Sequence, residues 1–169
     1  GENGSGKSTL LGIASGFVEP DVGTVRIGGE ALRRDSPALA RRLGLAIAYQ
    51  DGSSVLAEPV KNNLYYAAAP DARPRYRGRK KWARKVLADF DLDIELFPDV
   101  PAGFLTMAER QLFEVAKALV TNPRVLLLDE PTTALGPDEV AALHRTVLAC
   151  RDRGIGVVYV SHRLPEVLE

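Results

Sequence analysis

Hydrophobic positions fall along this chain in two rhythms. Three short apolar runs, Leu45-Ala46-Ile47-Ala48-Tyr49, Val125-Leu126-Leu127-Leu128 and Val157-Val158-Tyr159-Val160, read as strands covered on both faces, as parallel strands are. A fourth stretch, Thr24-Val25-Arg26-Ile27, alternates like a half-buried strand and is closed by Gly28-Gly29. Between the runs the period lengthens to that of helices. Candidates are Ser8 to Ala14, Ala38 to Arg42, Val60 to Ala69, and Lys80 to Phe90, the last with Trp82, Val86, Leu87 and Phe90 on one face. A helix led into by Leu105–Gln111, its start marked at Thr106, carries Leu112, Val115, Ala116 and Leu119 on one face. Another, opened by Pro137 with Asp138 and Glu139 in its first turn, carries Val140, Leu143, Val147 and Leu148 inward, with His144 on the same stripe as a packing residue. Strands alternating with helices predict an α/β fold with a mostly parallel sheet, and the helical texture after Asp51 predicts an insertion at about 51–120 within one domain.

Composition adds limits. The chain has 169 residues, 46% of them hydrophobic, enough for one globular core and not for two complete domains. Lysine plus arginine and aspartate plus glutamate each number 22, so no whole-chain charge draws it to nucleic acid or acidic membranes. The basic run from Arg73 to Lys81 with interleaved Tyr76 and Trp82 invites a nucleic-acid reading, but a solvated loop and exposed helix face is favoured because the rest of the chain balances its charge. One cysteine, Cys150, excludes an intrachain disulfide, and its helical setting makes it an inert apolar residue. No apolar run approaches the roughly 18 residues of a membrane span.

The chemistry is concentrated at the ends of these elements. Gly1-Glu2-Asn3-Gly4-Ser5-Gly6-Lys7-Ser8-Thr9 has the G-x-x-x-x-G-K-[ST] spacing that cradles phosphate: glycines let backbone N–H groups converge on an anion, Lys7 reaches the β- and γ-phosphates, and the Ser8 hydroxyl is placed for Mg²⁺. The helix behind it aims its dipole at the same point. Asp129-Glu130 places two carboxylates at the tip of a buried strand, which is costly without a cation nearby; Asp129 would hold Mg²⁺ and Glu130 would orient or deprotonate the attacking water. Gln50 and His162 also stand at strand ends. Each alone reads as an ordinary surface or structural residue, and only their convergence on the phosphate loop changes that. Thr106 followed by Glu109 forms a capping box, which explains both residues without any ligand.

Taken together, these motifs resemble the nucleotide-binding domain of ATP-binding cassette (ABC) ATPases, from Gly1 to Glu169. They match in order as the Walker A loop Gly1–Thr9, the Q-loop Gln50, the signature region Leu105–Gln111, the Walker B strand Val125–Asp129 with Glu130, the D-loop region Thr133–Gly136 and the switch His162. The stretches Ala108–Leu119 and Val158–Arg163 look like the first of two tandem cassettes in bacterial ribose/galactose-type sugar importers.

The resemblance implies a P-loop NTPase core with a helical insertion, here lacking both ends of the cassette, and an ATPase that uses ATP and Mg²⁺. Gly1, Asn3, Gly4, Ser5, Gly6, Lys7, Ser8 and Thr9 would bind nucleotide, Ser8, Asp129 and Gln50 would hold the metal, and Glu130, His162, Gln50 and Lys7 would serve hydrolysis. Thr106 would face the ATP of a partner cassette. The implied partners are a second cassette, a membrane permease and, indirectly, a solute-binding protein, with no nucleic acid; the implied location is the cytoplasmic face of the membrane. Two departures stand out. The family's Leu-Ser-Gly-Gly-Gln signature is Leu105-Thr106-Met107-Ala108-Glu109 here, and its D-loop Asp is Gly136. Alternatives are a soluble ABC-type ATPase acting on ribosomes or nucleic acid, and a regulatory cassette that binds ATP with little turnover.

Overall fold

The structure is a computed structural model that describes residues 6–32, 36–49, 53–90 and 98–161. In chain order the elements are α1 (Lys7–Ala14), β1 (Arg26–Ile27), β2 (Glu30–Ala31), α2 (Pro37–Arg42), β3 (Leu45–Ala48), α3 (Val60–Ala67), α4 (Arg79–Asp89), α5 (Met107–Leu119), β4 (Val125–Asp129), α6 (Pro137–Asp152) and β5 (Gly156–Val160). β3, β4 and β5 form a parallel sheet with β4 in the middle. The expected α/β architecture is present.

Side chains alternate across this sheet and split the core in two. Leu126 and Leu128 of β4, with Ala46 and Ala48 of β3, pack into a cluster with α3, α4, α5 and α6, including Leu64, Leu87, Phe113 and Leu143. Leu127 and Leu45 point the other way, against Leu11 of α1, Ile27 of β1, and Ala40 and Leu43 beside α2. Helices on both faces account for the continuous apolar runs. β5 is less covered than its sequence predicts. Val157 and Tyr159 pack on the larger cluster, but Val158 is exposed, because β5 is an edge strand among the described residues.

Three further expectations are corrected. The strand read at Thr24–Ile27 is only Arg26–Ile27, the first arm of a hairpin whose second arm, Glu30–Ala31, was not foreseen; Gly28 and Gly29, at φ 58° and 87°, make the two-residue turn that positive φ at both positions requires. Leu148 is 48% exposed, while Ala142, Thr146 and Cys150 of α6 are buried beside Leu143, so the inward stripe lies one position from where an aliphatic count puts it. α5 is buried on every side from Gln111 to Leu119, not on one face, because it lies between the sheet and the other helices.

The basic run is largely exposed, as read from the sequence, and some of its arginines also make contacts within the fold. The Arg79 guanidinium lies 3.6 Å from the centroid of the Tyr65 ring and 4.6 Å from that of Tyr76, and Arg73 donates to the carbonyls of Ala68 and Tyr66. Lys61 and Lys80 both pair with Asp99, joining α3 and α4 to the strand-like loop that precedes α5. Among the described residues, no helix is long and apolar enough to cross a membrane.

Candidate functional site

The site begins where α1 begins. Gly6 is the N-cap in the left-handed conformation, φ 84° and ψ 4°, which a residue without Cβ adopts at little cost. Its carbonyl accepts the Leu10 N–H at 2.9 Å, which starts the helix at Lys7 and leaves the first-turn N–H groups of Ser8 and Thr9 outside the helix's own hydrogen bonding. Lys7 is half-buried, and Ser8 and Thr9 are exposed. The helix packs against β4 through the smaller core cluster, which fixes its start relative to that strand.

The carboxylates stand at the other end of this packing. Asp129 closes β4 opposite Val160, and Ala48 lies opposite Leu128, so all three parallel strands end on one edge and the chain leaves them through Tyr49, Glu130 and Ser161. Burial pushes the Asp129 carboxyl above its usual range, the neighbouring Glu130 adds to the rise, and the Lys7 ammonium opposes it. Lys7 is therefore close enough for its charge to act on Asp129. Glu130 itself holds φ 46°, a left-handed conformation uncommon for a side chain of this size. Its N–H donates to Val160 O at 2.9 Å and its carbonyl accepts the Thr133 hydroxyl at 3.0 Å, so both sides of the peptide are anchored while the backbone turns sharply out of the strand. Strain of this kind, on the order of 1–3 kcal/mol, is tolerated where it aims a group.

These residues fit a divalent cation. Two adjacent carboxylates, one already raised by burial and by its neighbour, are relieved by positive charge, and the exposed Ser8 hydroxyl at the head of α1 supplies a neutral oxygen of the hard type that Mg²⁺ prefers. Magnesium, when bound with a triphosphate, supplies charge neutralisation at the phosphate oxygens. Among the described residues no group of three or more His, Cys, Asp or Glu could itself hold a metal. Gln50, His162, Gly1, Asn3, Gly4 and Ser5 lie outside the described residues.

Thr106 has a different setting. It is the N-cap of α5: its Oγ1 accepts the Glu109 N–H at 3.2 Å, and Glu109 Oε2 accepts the Thr106 N–H at 2.7 Å. The capping box read from the sequence is present with both bonds. Both groups are thus engaged within the first turn of α5.

Sequence reading missed a second polar constellation. Glu114 and Lys117, 3% and 8% exposed, lie on the buried length of α5 and pair with each other and with Ser53 and Ser54. The available signal was an α5 sequence with apolar residues at nearly every other position from Leu112 to Leu119, which leaves no polar face for these two charges. A cleft of about 570 Å³, bordered by Arg41, Arg42, Tyr49, Tyr66 and Arg73, opens beside them; Lys7, Asp129 and Glu130 do not line it.

Comparison with known proteins places the chain in a family. Residues 1–133 match the family described as ABC transporter. The chain is 38% identical over 173 residues to ribose import ATP-binding protein RbsA 2 of Agrobacterium fabrum, and 37% identical over 172 residues to ribose import ATP-binding protein RbsA of a Ruegeria species; each alignment covers 100% of this chain and 33% of the relative. Arabinose import ATP-binding protein AraG 1 of Burkholderia lata is 38% identical over 169 residues, covering 99% of this chain and 33% of the relative. The chain thus spans about a third of the length of the curated relatives it matches. Among solved structures, the ADP conformation of an ATP-binding cassette of an ABC transporter superposes with TM-score 0.80 at 28% identity, covering 98% of this chain and 69% of that one. A dimeric post-hydrolysis ATP-binding cassette bound to ADP and Pi superposes with TM-score 0.81 at 25% identity, covering 98% of this chain and 73% of that one. With a fold shared with solved cassettes and a family match over most of its length, the chain belongs to the ABC transporter ATP-binding family and has the ABC ATPase fold.

Proposed function

We propose that this chain is the ATP-binding and hydrolysing part of an importer for a sugar or related small solute. The observation that carries the reading is the reach of the Lys7 charge to Asp129 beside Glu130, at the edge where the parallel strands end. The names of the relatives, ribose and arabinose import proteins, support the solute class.

In this reading Gly1, Asn3, Gly4, Ser5, Gly6 and Thr9 enclose the phosphates of ATP, and Lys7 neutralises the β- and γ-oxygens. Ser8, Asp129 and Gln50 hold Mg²⁺. Glu130, held by its turned backbone, accepts the proton of the attacking water, and His162 and Gln50 complete the polar shell around it. Residues 51–120 act as a helical subdomain within a single cassette and meet a membrane permease, which keeps the chain at the cytoplasmic face of the membrane. A second cassette completes each ATP site, and a solute-binding protein delivers cargo to the permease. No nucleic acid takes part.

The two sites of such a pair are unequal. The site built on Lys7 and Glu130 turns over ATP when the partner supplies an intact signature. The site to which Thr106 contributes binds nucleotide with little turnover, because the Thr106 N–H already donates to the Glu109 carboxylate, the Thr106 hydroxyl accepts the Glu109 N–H, and Glu109 adds a negative charge there.

The test is Glu130→Gln in the intact transporter. ATP binding should persist while hydrolysis falls by roughly 10²–10⁴-fold, the usual contribution of a positioned base. Unchanged turnover overturns the assignment.

A further inference from the structure

Buried Glu114 and Lys117, half-buried Ser54 and exposed Ser53 form a closed ring of hydrogen bonds that the nucleotide site does not use. The Ser53 hydroxyl donates to Glu114 Oε2 at 3.0 Å and accepts from Lys117 Nζ at 2.8 Å; the Ser54 hydroxyl donates to Glu114 Oε1 at 2.6 Å and accepts from Lys117 Nζ at 3.0 Å. Lys117 also donates to both Glu114 oxygens at 3.1 Å. Burial pulls the Lys117 ammonium below its ordinary value and Glu114 resists, so the ion pair is what keeps a charge in this position. A buried pair of this kind adds little stability compared with well-packed apolar residues, while removing one partner is costly. Geometry is a better account of it than stability.

What the ring holds is the segment Ser53–Glu58. Beyond the two serines, the Val55 N–H donates to Asn63 Oδ1 at 2.8 Å, and Asn63, itself buried, donates back to the carbonyls of Val55 and Glu58. On its other side the segment is bonded to the loop before α5: Ala102 N–H to Glu58 O at 2.9 Å, and Gly103 N–H to Leu56 O at 2.8 Å. That loop runs directly into Leu105 and Thr106. The approach is close, since a Cβ on Gly103 would lie 3.1 Å from Leu56 O. One continuous set of bonds therefore leads from the chain after β3, through Ser53–Leu56, to the residues that present Thr106.

We infer that Glu114 and Lys117 are positioning residues whose buried pair, closed by Ser53 and Ser54, locks the segment after β3 to α5 and to the Thr106 loop, so that the two move as one body. This rests on the reading above, in which the first segment follows Gln50 of the chain's own ATP site and Thr106 serves the partner's. Loss of the ring would leave each ATP site able to bind and would uncouple the two.

The experiment uses the complete transporter with its permease in vesicles. The variants are Lys117→Met, which removes the pair, and the milder Ser53→Ala with Ser54→Ala, which keeps the pair and removes the bridge. The ratio of solute-stimulated to basal ATP hydrolysis should fall about tenfold in both, within the usual range of coupling between sites, while the KM for ATP changes less than about twofold. Hydrogen exchange at the Val55 and Gly103 amides should quicken about tenfold without change at Leu126 to Leu128. The charge exchange Glu114→Lys with Lys117→Glu should recover part of the ratio, since both hydroxyls can donate and accept in either sense. An equal fall in stimulated and basal rates, or Val55 and Gly103 amides that exchange as in the parent, overturns the inference. A parent transporter without ATPase activity would instead overturn the proposed function and leave the exchange result standing as the measure of the ring.

Discussion

The Thr106 hydroxyl and the Glu109 carboxylate cap one another across the first turn of α5, at 3.2 and 2.7 Å, in the loop proposed above to face a partner's nucleotide. Two physical demands meet at that turn. A helix start needs its first N–H groups satisfied, and a phosphate needs the same groups unoccupied.

The first prediction follows from that conflict. Thr106→Ala should cost about 1 kcal/mol in a denaturant melt, the usual value of a lost N-cap. Glu109→Gln keeps an acceptor for the Thr106 N–H and removes the charge, so its stability cost should be about 0.5 kcal/mol or less while nucleotide is held more tightly at the site completed by α5. Tighter retention by the Thr106→Ala variant instead would mean that the hydroxyl is not what binds there.

A second contrast separates a buried position from one that only looks buried in the sequence. Phe113 is fully enclosed in the larger cluster, and Phe113→Ala should destabilise the protein by about 3–5 kcal/mol. Leu148, on a stripe that reads as inward, is exposed, and Leu148→Ala should stay within about 0.5 kcal/mol of the parent. Melts of the two variants side by side decide whether α6 is rotated as described.

Asp99 provides a pH test. Its hydrogen bonds to Lys61 and Lys80 hold the carboxyl down to about 2 from the model-peptide value of 3.8. The folded form thus prefers the ionised group, so its contribution is complete above the unfolded value and is lost as pH falls through the folded one. Against Asp99→Asn, the parent should be more stable by a constant margin above pH ~5, and the margin should shrink through pH ~4 to ~2 and vanish near pH ~1. A difference that persists undiminished at pH ~1 would show that Asp99 acts through packing. The pair is exposed to solvent, so added salt should narrow the margin at neutral pH.

Much of this arrangement was legible in the residues, and the exceptions share a cause. The apolar runs at Leu45, Val125 and Val157 lead directly to parallel strands, because only a sheet covered on both faces needs continuous hydrophobicity. The Thr106–Glu109 box and the Pro137 helix start were equally readable, since caps depend on residues within one turn. Glu114 and Lys117 were not readable as a site. Their partners Ser53 and Ser54 are some sixty residues away in sequence, and nothing local marks a serine as the partner of a buried ion pair.

By itself the sequence determined the chemistry available: a glycine-rich phosphate loop with Lys7, a strand ending in Asp129-Glu130, and a signature loop in which Glu109 adds a negative charge. Each is a short string whose backbone and charge act locally. Only the tertiary structure decided which of these charges feel one another. It brought Lys7 to Asp129 by packing α1 on β4, turned Glu130 into a left-handed conformation anchored to Val160, and buried Glu114 with Lys117 by enclosing α5 on all sides. Electrostatic interaction depends on distance and burial, and neither is carried by residue order alone.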